Sequence, residues 1–93
     1  MPELRVKRIH LLKIEDEYLK EIKDGLKTFE LRKNDRDYQV GDLIKFSNDK
    51  DIYRITYILK DVKEYGLDSD YCILSIKKIL KEVTEKANKK VGD

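Results

Sequence analysis

Hydrophobic and polar positions change their spacing along the chain, and each change marks a new element. Residues 6–13 alternate, which predicts a strand with mixed faces. A four-residue repeat then follows, made by Ile14, Tyr18, Ile22 and Leu26. This repeat predicts a helix over residues 16–24, and Gly25 is placed to end it in the left-handed conformation.

Four further segments return to the two-residue alternation that is typical of strands: residues 28–33, 43–47, 52–61 and 71–77. In the first of them, Phe29 and Leu31 are expected to be buried, with Thr28, Glu30 and Arg32 on the opposite face. In the third, Tyr53, Ile55, Tyr57 and Leu59 are expected to share one face. In the last, Cys72, Leu74 and Ile76 are expected to lie opposite Tyr71, Ile73 and Ser75.

These elements predict an α+β domain over residues 1–78 with about five strands and one helix after the first strand. So many strands in a short chain close most economically into a small β-barrel, which also hides the sheet edges. Residues 79–93 form a lysine-rich C-terminal tail, predicted to be an amphipathic helix that is either solvated or bound to a ligand.

The composition of the chain limits the classes of function that it can have. The chain has 93 residues, 43% of them charged, yet its net charge is only +2, so an anionic ligand must be held by a local patch. The single cysteine, Cys72, is expected to be a buried small hydrophobe, which excludes an intrachain disulfide and a cysteine–histidine metal site. No cofactor, metal or membrane partner is expected, and the prediction is a cytoplasmic monomer.

Candidate chemistry is concentrated in residues 25–42. Side chains two apart on a strand lie about 7 Å apart on one face, so Glu30 and Arg32 either pair at the surface or face a shared cavity together with Lys27. In a cavity they suit a phosphate or base edge, or acid–base chemistry. At the surface they are only an ion-pair ladder worth under about 1 kcal/mol.

The loop that follows adds charge and one aromatic ring. Lys33 and Arg36 offer positive charge, and Tyr38 is either a stacking surface for an unpaired base at the rim or a plug in the core. His10, the only histidine, is expected to be structural, and Tyr53 and Tyr57 are expected to pack rather than to form a base platform.

The pattern G-x-K-x-x-E-x-R, carried by Gly25, Lys27, Glu30 and Arg32, resembles the signature of the ASCH superfamily (activating signal cointegrator homology domains). The run from Lys33 to Asp42 is similar to one subfamily of short bacterial, archaeal and phage proteins of unknown function. The resemblance covers about residues 7–78 and implies a PUA-like barrel, the fold of an RNA-binding domain family.

The resemblance also implies a function, because ASCH domains are proposed to bind RNA in a cleft lined by this motif. It identifies the expected binding set for RNA or a modified nucleoside as Gly25, Lys27, Thr28, Glu30, Arg32, Lys33, Arg36 and Tyr38. One relative is an amidohydrolase that removes the acetyl group from 4-acetylcytidine with the lysine that Lys27 matches, and another cleaves RNA. The amidohydrolase has a threonine where this chain has Glu30.

Three classes of function therefore stay open on the sequence alone. The first is an RNA- or nucleoside-binding domain. The second is a small hydrolase of an acylated nucleoside or of RNA, in which Lys27 and Glu30 are catalytic. The third is a protein-interaction module in which the basic tail docks on a larger complex.

Overall fold

The computed structural model describes residues 8–79, in which one helix and five strands form a curled half-barrel sheet. The elements are β1 (Ile9–Leu12), α1 (Asp16–Lys23), β2 (Phe29–Lys33), β3 (Leu43–Phe46), β4 (Ile52–Leu59), a single 3-10 turn (Lys63–Tyr65) and β5 (Tyr71–Lys78). This confirms the predicted α+β class with the helix after the first strand. The start of the predicted first strand and the tail from residue 80 onward lie outside the described residues.

The strand order in the sheet is β1-β3-β4-β5-β2, so β1 and β2 are its two edges. β1 runs parallel to β3, and the other neighbouring strands are antiparallel. The inner face of the sheet carries the core, whose fully buried side chains include Ile44, Phe46, Ile55 and Leu74. Helix α1 closes this core with Ile22, while Ile14 and Leu19 pack against it.

The last strand follows its prediction. Cys72, Leu74 and Ile76 are buried on the inner face of β5, and the thiol of Cys72 is fully enclosed. Burial raises the pKa of this thiol, because the thiolate loses its solvation. Cys72 is therefore a small core side chain, as expected.

Phe29 and Leu31 share one face of β2 as predicted, but the predicted burial of that face is wrong. Phe29 and Leu31 are exposed, whereas Glu30 is buried and Arg32 half-buried. The pairing of β2 with β5 explains this, because Glu30 lies opposite Leu74 and Arg32 opposite Cys72. Directly opposite residues share a face of the sheet, so the charged side chains of β2 point to the inner side and its apolar ones point outward.

The prediction of one shared face in β4 is also wrong. Tyr53 and Ile55 are buried, but a β-bulge between Ile55 and Tyr57 shifts the register, and Tyr57 is 59% exposed. Ile58 takes the inner position and packs against the core. A bulge adds one residue to a strand and therefore reverses the alternation beyond it.

Polar contacts fix α1 against the β3–β4 turn. Nζ of Lys23 donates to Oδ1 of Asp49 at 2.8 Å and to Oδ2 of Asp51 at 2.6 Å. Nδ2 of Asn48 donates to Oδ1 of Asp16 at 2.9 Å. The hydrogen bonds that Lys23 donates to both aspartates raise its pKa, since they favour the charged ammonium.

No backbone ladder joins β1 to β2 within residues 8–79; two arginines bridge the edges instead. Nη2 of Arg32 donates to the carbonyl oxygen of Lys13 at 2.6 Å, and Nη1 of Arg36 donates to that of Leu11 at 3.3 Å. These two arginine side chains therefore connect the two edges across the open side of the half-barrel.

Candidate functional site

Three side chains of the G-x-K-x-x-E-x-R motif meet at the inner side of β2. Nζ of Lys27 donates to Oε2 of Glu30 and, at 2.7 Å, to the carbonyl oxygen of Phe29. Nε of Arg32 donates to Oε1 of Glu30 at 3.0 Å. Each oxygen of one buried carboxylate therefore faces its own cation.

The helix end places Lys27 in this cluster. Gly25 adopts φ +80°, and the backbone N–H groups of Gly25 and Leu26 donate to the carbonyl oxygens of Ile22 and Glu21 at 3.0 and 2.9 Å. This is a Schellman motif, which reverses the chain directly after the helix. The Lys27 ammonium then lies 5.5 Å from the ring centroid of Tyr18 and 5.0 Å from that of Phe29, so cation–π attraction supports its position.

A cavity of about 530 Å³ lies beside this cluster, between the β1–α1 connection and β2. Its lining consists of residues 13–16, Tyr18 and residues 30–32. Glu30 and Arg32 thus form one wall, and Lys27 is tied to that wall through Glu30. The volume falls within the usual range for small-molecule sites, and the cavity is a groove that opens widely to solvent.

The charges of the lining are mixed rather than positive. Lys13 and Arg32 stand among three carboxylates: Glu15, Asp16 and Glu30. The acidic pair belongs to the N-terminal end of α1, where the helix dipole favours negative side chains. Such a lining disfavours a polyphosphate and suits a neutral, polar ligand with both donors and acceptors.

The other residues of the expected binding set lie apart from the cavity lining. Gly25 and Thr28 are exposed, and the carbonyl oxygen of Thr28 accepts from the N–H of Ile76 at 3.1 Å. Lys33 is exposed on the outer face of the sheet, and the guanidinium of Arg36 bridges to β1.

Tyr38 is buried in the core, so its predicted place at the rim is wrong and the core-plug alternative holds. Its ring lies 4.7 Å from that of His10, centroid to centroid. The reason is that the loop folds inward around Gly41 (φ +98°), whose N–H donates to the carbonyl oxygen of Ile55 at 2.8 Å. A ring enclosed in this way offers no face to a base.

His10 has a buried partner that sequence reasoning missed. Its Nε2 lies 2.9 Å from Oδ2 of Asp42, and the backbone N–H of Gln39 donates to the same oxygen at 3.1 Å. Burial of Asp42 opposes its ionisation, but hydrogen bonds from His10, Gln39 and Arg8 outweigh this and lower the pKa of the carboxyl. The pair joins β1 to the loop before β3, which is the structural role expected for His10.

Sequence reasoning also missed the opposite wall of the cavity, formed by residues 13–16 and Tyr18. Tyr18 was assigned only to the apolar face of α1. The four-residue repeat places it one turn before Ile22, next to β2, and its phenol ring is 44% exposed. The sequence signal for this wall is the residue type, because Tyr18 brings a hydroxyl group into a helix stripe that is otherwise aliphatic.

Residues 8–79 contain neither a candidate metal site nor a membrane-spanning helix. No group of three potential metal-ligating side chains occurs there. The helical part of the same region contains no segment with the length and hydropathy of a membrane span.

Residues 9–76, which contain the whole cluster, match the family described as "Domain of unknown function (DUF3850)". The chain belongs to the DUF3850 family. No curated protein matches it. A solved structure titled "Crystal structure of hypothetical protein PH0355" is similar, with a TM-score of 0.60 and 20% identity over 76% of this chain and 99% of the other. At that identity the likeness shows a shared fold alone.

Proposed function

We propose that the cavity binds a nucleobase, presented by RNA or by a modified nucleoside, and that the chain is an ASCH-type, PUA-like member of the DUF3850 family. The observation that carries this proposal is Glu30. Its carboxylate is 4% exposed, stands at the cavity wall and is fixed by Lys27 and Arg32. An oriented, partly desolvated carboxylate is a strong acceptor for an amino group.

The cavity offers what a base requires. A glutamate accepts a hydrogen bond from the exocyclic amine of cytosine, and an arginine donates to ring carbonyl groups. Tyr18, at the opposite wall, supplies an aromatic surface on which an unpaired base stacks. The mixed charge of the lining favours the base over the phosphates, so we expect nucleosides to bind as well as nucleotides.

The motif supports the assignment to the ASCH superfamily. Its lysine, glutamate and arginine are the residues that meet at the cavity wall, and ASCH domains are proposed to bind RNA through this motif. The run from Lys33 to Asp42 is explained differently, since Tyr38 and Asp42 are buried there as parts of the fold.

A hydrolase acting on an acylated nucleoside or on RNA is the second candidate, because Lys27 is only 15% exposed and lies beside a carboxylate. The contacts of Lys27 favour binding instead. Its ammonium donates to Glu30 and to the carbonyl oxygen of Phe29, whereas a general base needs a neutral amine with a free lone pair.

The test is a calorimetric titration of the full chain with cytidine, uridine and 4-acetylcytidine. Glu30→Gln replaces a charged acceptor by a neutral one, so cytidine affinity is expected to fall about tenfold. The affinity for uridine, which has a carbonyl group in place of the amine, is expected to change less. Arg32→Ala is expected to weaken the binding of all three ligands. Arg54→Ala, on the outer face of the sheet, is its matched control.

Absence of nucleoside binding at millimolar concentration would refute the proposal. So would a loss of affinity in the Arg54→Ala control equal to that in Arg32→Ala. The hydrolase alternative has its own readout, the release of acetate and cytidine from 4-acetylcytidine. Turnover that Lys27→Ala abolishes while binding persists would establish the enzyme instead.

A further inference from the structure

The outer face of the sheet, opposite the core, exposes aromatic and basic side chains together. We name this surface the outer sheet face and define it by Phe29, Arg54, Tyr57, Ser75 and Lys77. Phe29 is 43% exposed and Tyr57 59% exposed, and Arg54 and Lys77 are exposed as well. The ring of Phe29 also contacts the ammonium of Lys27, which lies 5.0 Å from its centroid.

The pairing of three strands aligns the two aromatic rings. Phe29 of β2 and Tyr57 of β4 both lie opposite Ser75 of β5. Neighbouring strands are about 4.8 Å apart, so the two residues are separated by about 10 Å across a small serine. The space between the rings is therefore lined by a side chain too short to fill it.

The next row of the same face is positively charged. Arg54 lies opposite Lys77, and Lys77 is two residues beyond Ser75 on β5, which places this row about 7 Å from the aromatic one. The charged side chains that the strands place on this face are positive. Among the five strands the only carboxylate is Glu30, which points to the inner side, whereas Lys33, Arg54 and Lys77 are exposed outside.

We propose that the outer sheet face is a binding surface for single-stranded nucleic acid. Bases stack on Phe29 and Tyr57, because every base has a π-face that an aromatic ring contacts without regard to sequence. Arg54 and Lys77 contact the phosphates that flank the stacked bases. The surface is distinct from the cavity, since none of its five residues belongs to the cavity lining, although it borders the site where Phe29 contacts the Lys27 ammonium.

The charge of this face favours a polyanion over a second copy of the chain. A symmetric contact through the outer sheet face would bring the cations of each copy near one another, without carboxylates on either strand surface to pair with them. Like charges placed opposite each other across an interface suppress association. A nucleic acid strand instead supplies phosphates for these cations and bases for the rings.

The experiment measures the anisotropy of a fluorescein-labelled oligouridylate of about twelve nucleotides with the full chain over a series of salt concentrations. Tyr57→Ala is expected to lower the affinity about tenfold, since one base loses its stacking partner. Tyr65→Ala, at an 84% exposed tyrosine outside the sheet, is the matched control, and its affinity is expected to stay within twofold of wild type. The double variant Arg54→Ala, Lys77→Ala is expected to reduce the slope of log affinity against log salt by about 1.4.

A saturating nucleoside separates this proposal from that for the cavity. It is expected to leave the oligouridylate bound. If no nucleoside binds, the anisotropy still reports the affinity of the outer sheet face for the oligouridylate. Three results would overturn the proposal: no oligouridylate binding at low salt, an affinity of Tyr57→Ala within twofold of wild type, or equal losses in the two tyrosine variants. Sedimentation showing a dimer that Tyr57→Ala dissociates would likewise replace it by a protein interface.

Discussion

At the scale of single residues, the candidate site depends on a carboxylate that the fold buries and then neutralises. An isolated buried charge costs several kcal/mol, and Glu30 avoids that cost because Lys27 and Arg32 each contact one of its oxygens. The residue types and their spacing indicated that these three side chains belong together. The spacing did not reveal which side of β2 they occupy, because it fits both an ion-pair ladder at the surface and a shared cavity.

Asp42 carries a pH-dependent part of the stability. Its pKa is lowered in the folded state, so its contribution is fully present above the ordinary value of about 3.9 and is lost as the pH falls through the lower folded value. We expect Asp42→Asn to reduce the free energy of unfolding at neutral pH, with a difference from wild type that shrinks in acid. Urea unfolding between about pH 7 and pH 2 measures this.

The exposed Asp24, which pairs with Lys20 on the helix surface at 2.9 Å, provides the control for Asp42. Asp24→Asn removes an equivalent charge but only a solvated ion pair, so its effect is expected to be small at every pH. A difference between Asp42→Asn and wild type that stays constant from neutral pH to acid would contradict the role assigned to the buried pair.

At the scale of elements, the sequence predicted those whose hydrophobic period continues unbroken. Strand β5 matches its predicted faces, with Leu74 on the core-facing side. Helix α1 is present as predicted, but in its four-residue repeat only Ile22 is buried, whereas Tyr18 is 44% and Leu26 79% exposed. β4 departs from its prediction because no residue type in the alternating run marks the bulge after Ile55. β2 departs because it is an edge strand, where the core gives way to a cavity that charged side chains line.

The end of α1 is the element boundary that positions the site, and Gly25 is the residue to test. A Cβ added at Gly25 would meet no atom within 4 Å, so the cost of Gly25→Ala arises from the left-handed backbone alone. We expect a loss of about 1 kcal/mol in the free energy of unfolding. Gly25→Asn is expected to cost less, since asparagine tolerates this conformation. Equal costs for the two variants, measured by urea unfolding, would indicate lost contacts rather than backbone strain.

At the scale of the whole molecule, the half-barrel formed by residues 8–79 has two sheet edges that no backbone pairing joins, and side chains bridge them. The predicted closed barrel hides such edges, but here the carbonyl oxygens of Leu11 and Lys13 accept from Arg36 and Arg32. The same Arg32 guanidinium also contacts Glu30 at the cavity wall. The contact that bridges the edges and the candidate binding site therefore share one side chain, which sequence spacing could not show.

This shared role makes the edge strands the part of the sheet most sensitive to Arg32. Among the strands of residues 8–79, β1 pairs with one neighbour over four residues, whereas β4 and β5 are each paired on both sides. Arg32→Ala removes a hydrogen bond from a charged donor, so we expect amide hydrogen exchange in β1 to accelerate about tenfold while β4 and β5 change little. Arg54→Ala, which removes an exposed arginine of β4, is the control and is expected to leave β1 unchanged. Uniform acceleration across all five strands would show that Arg32 supports global stability, and unchanged exchange in β1 would show that the arginine bridge does not hold the edge in place.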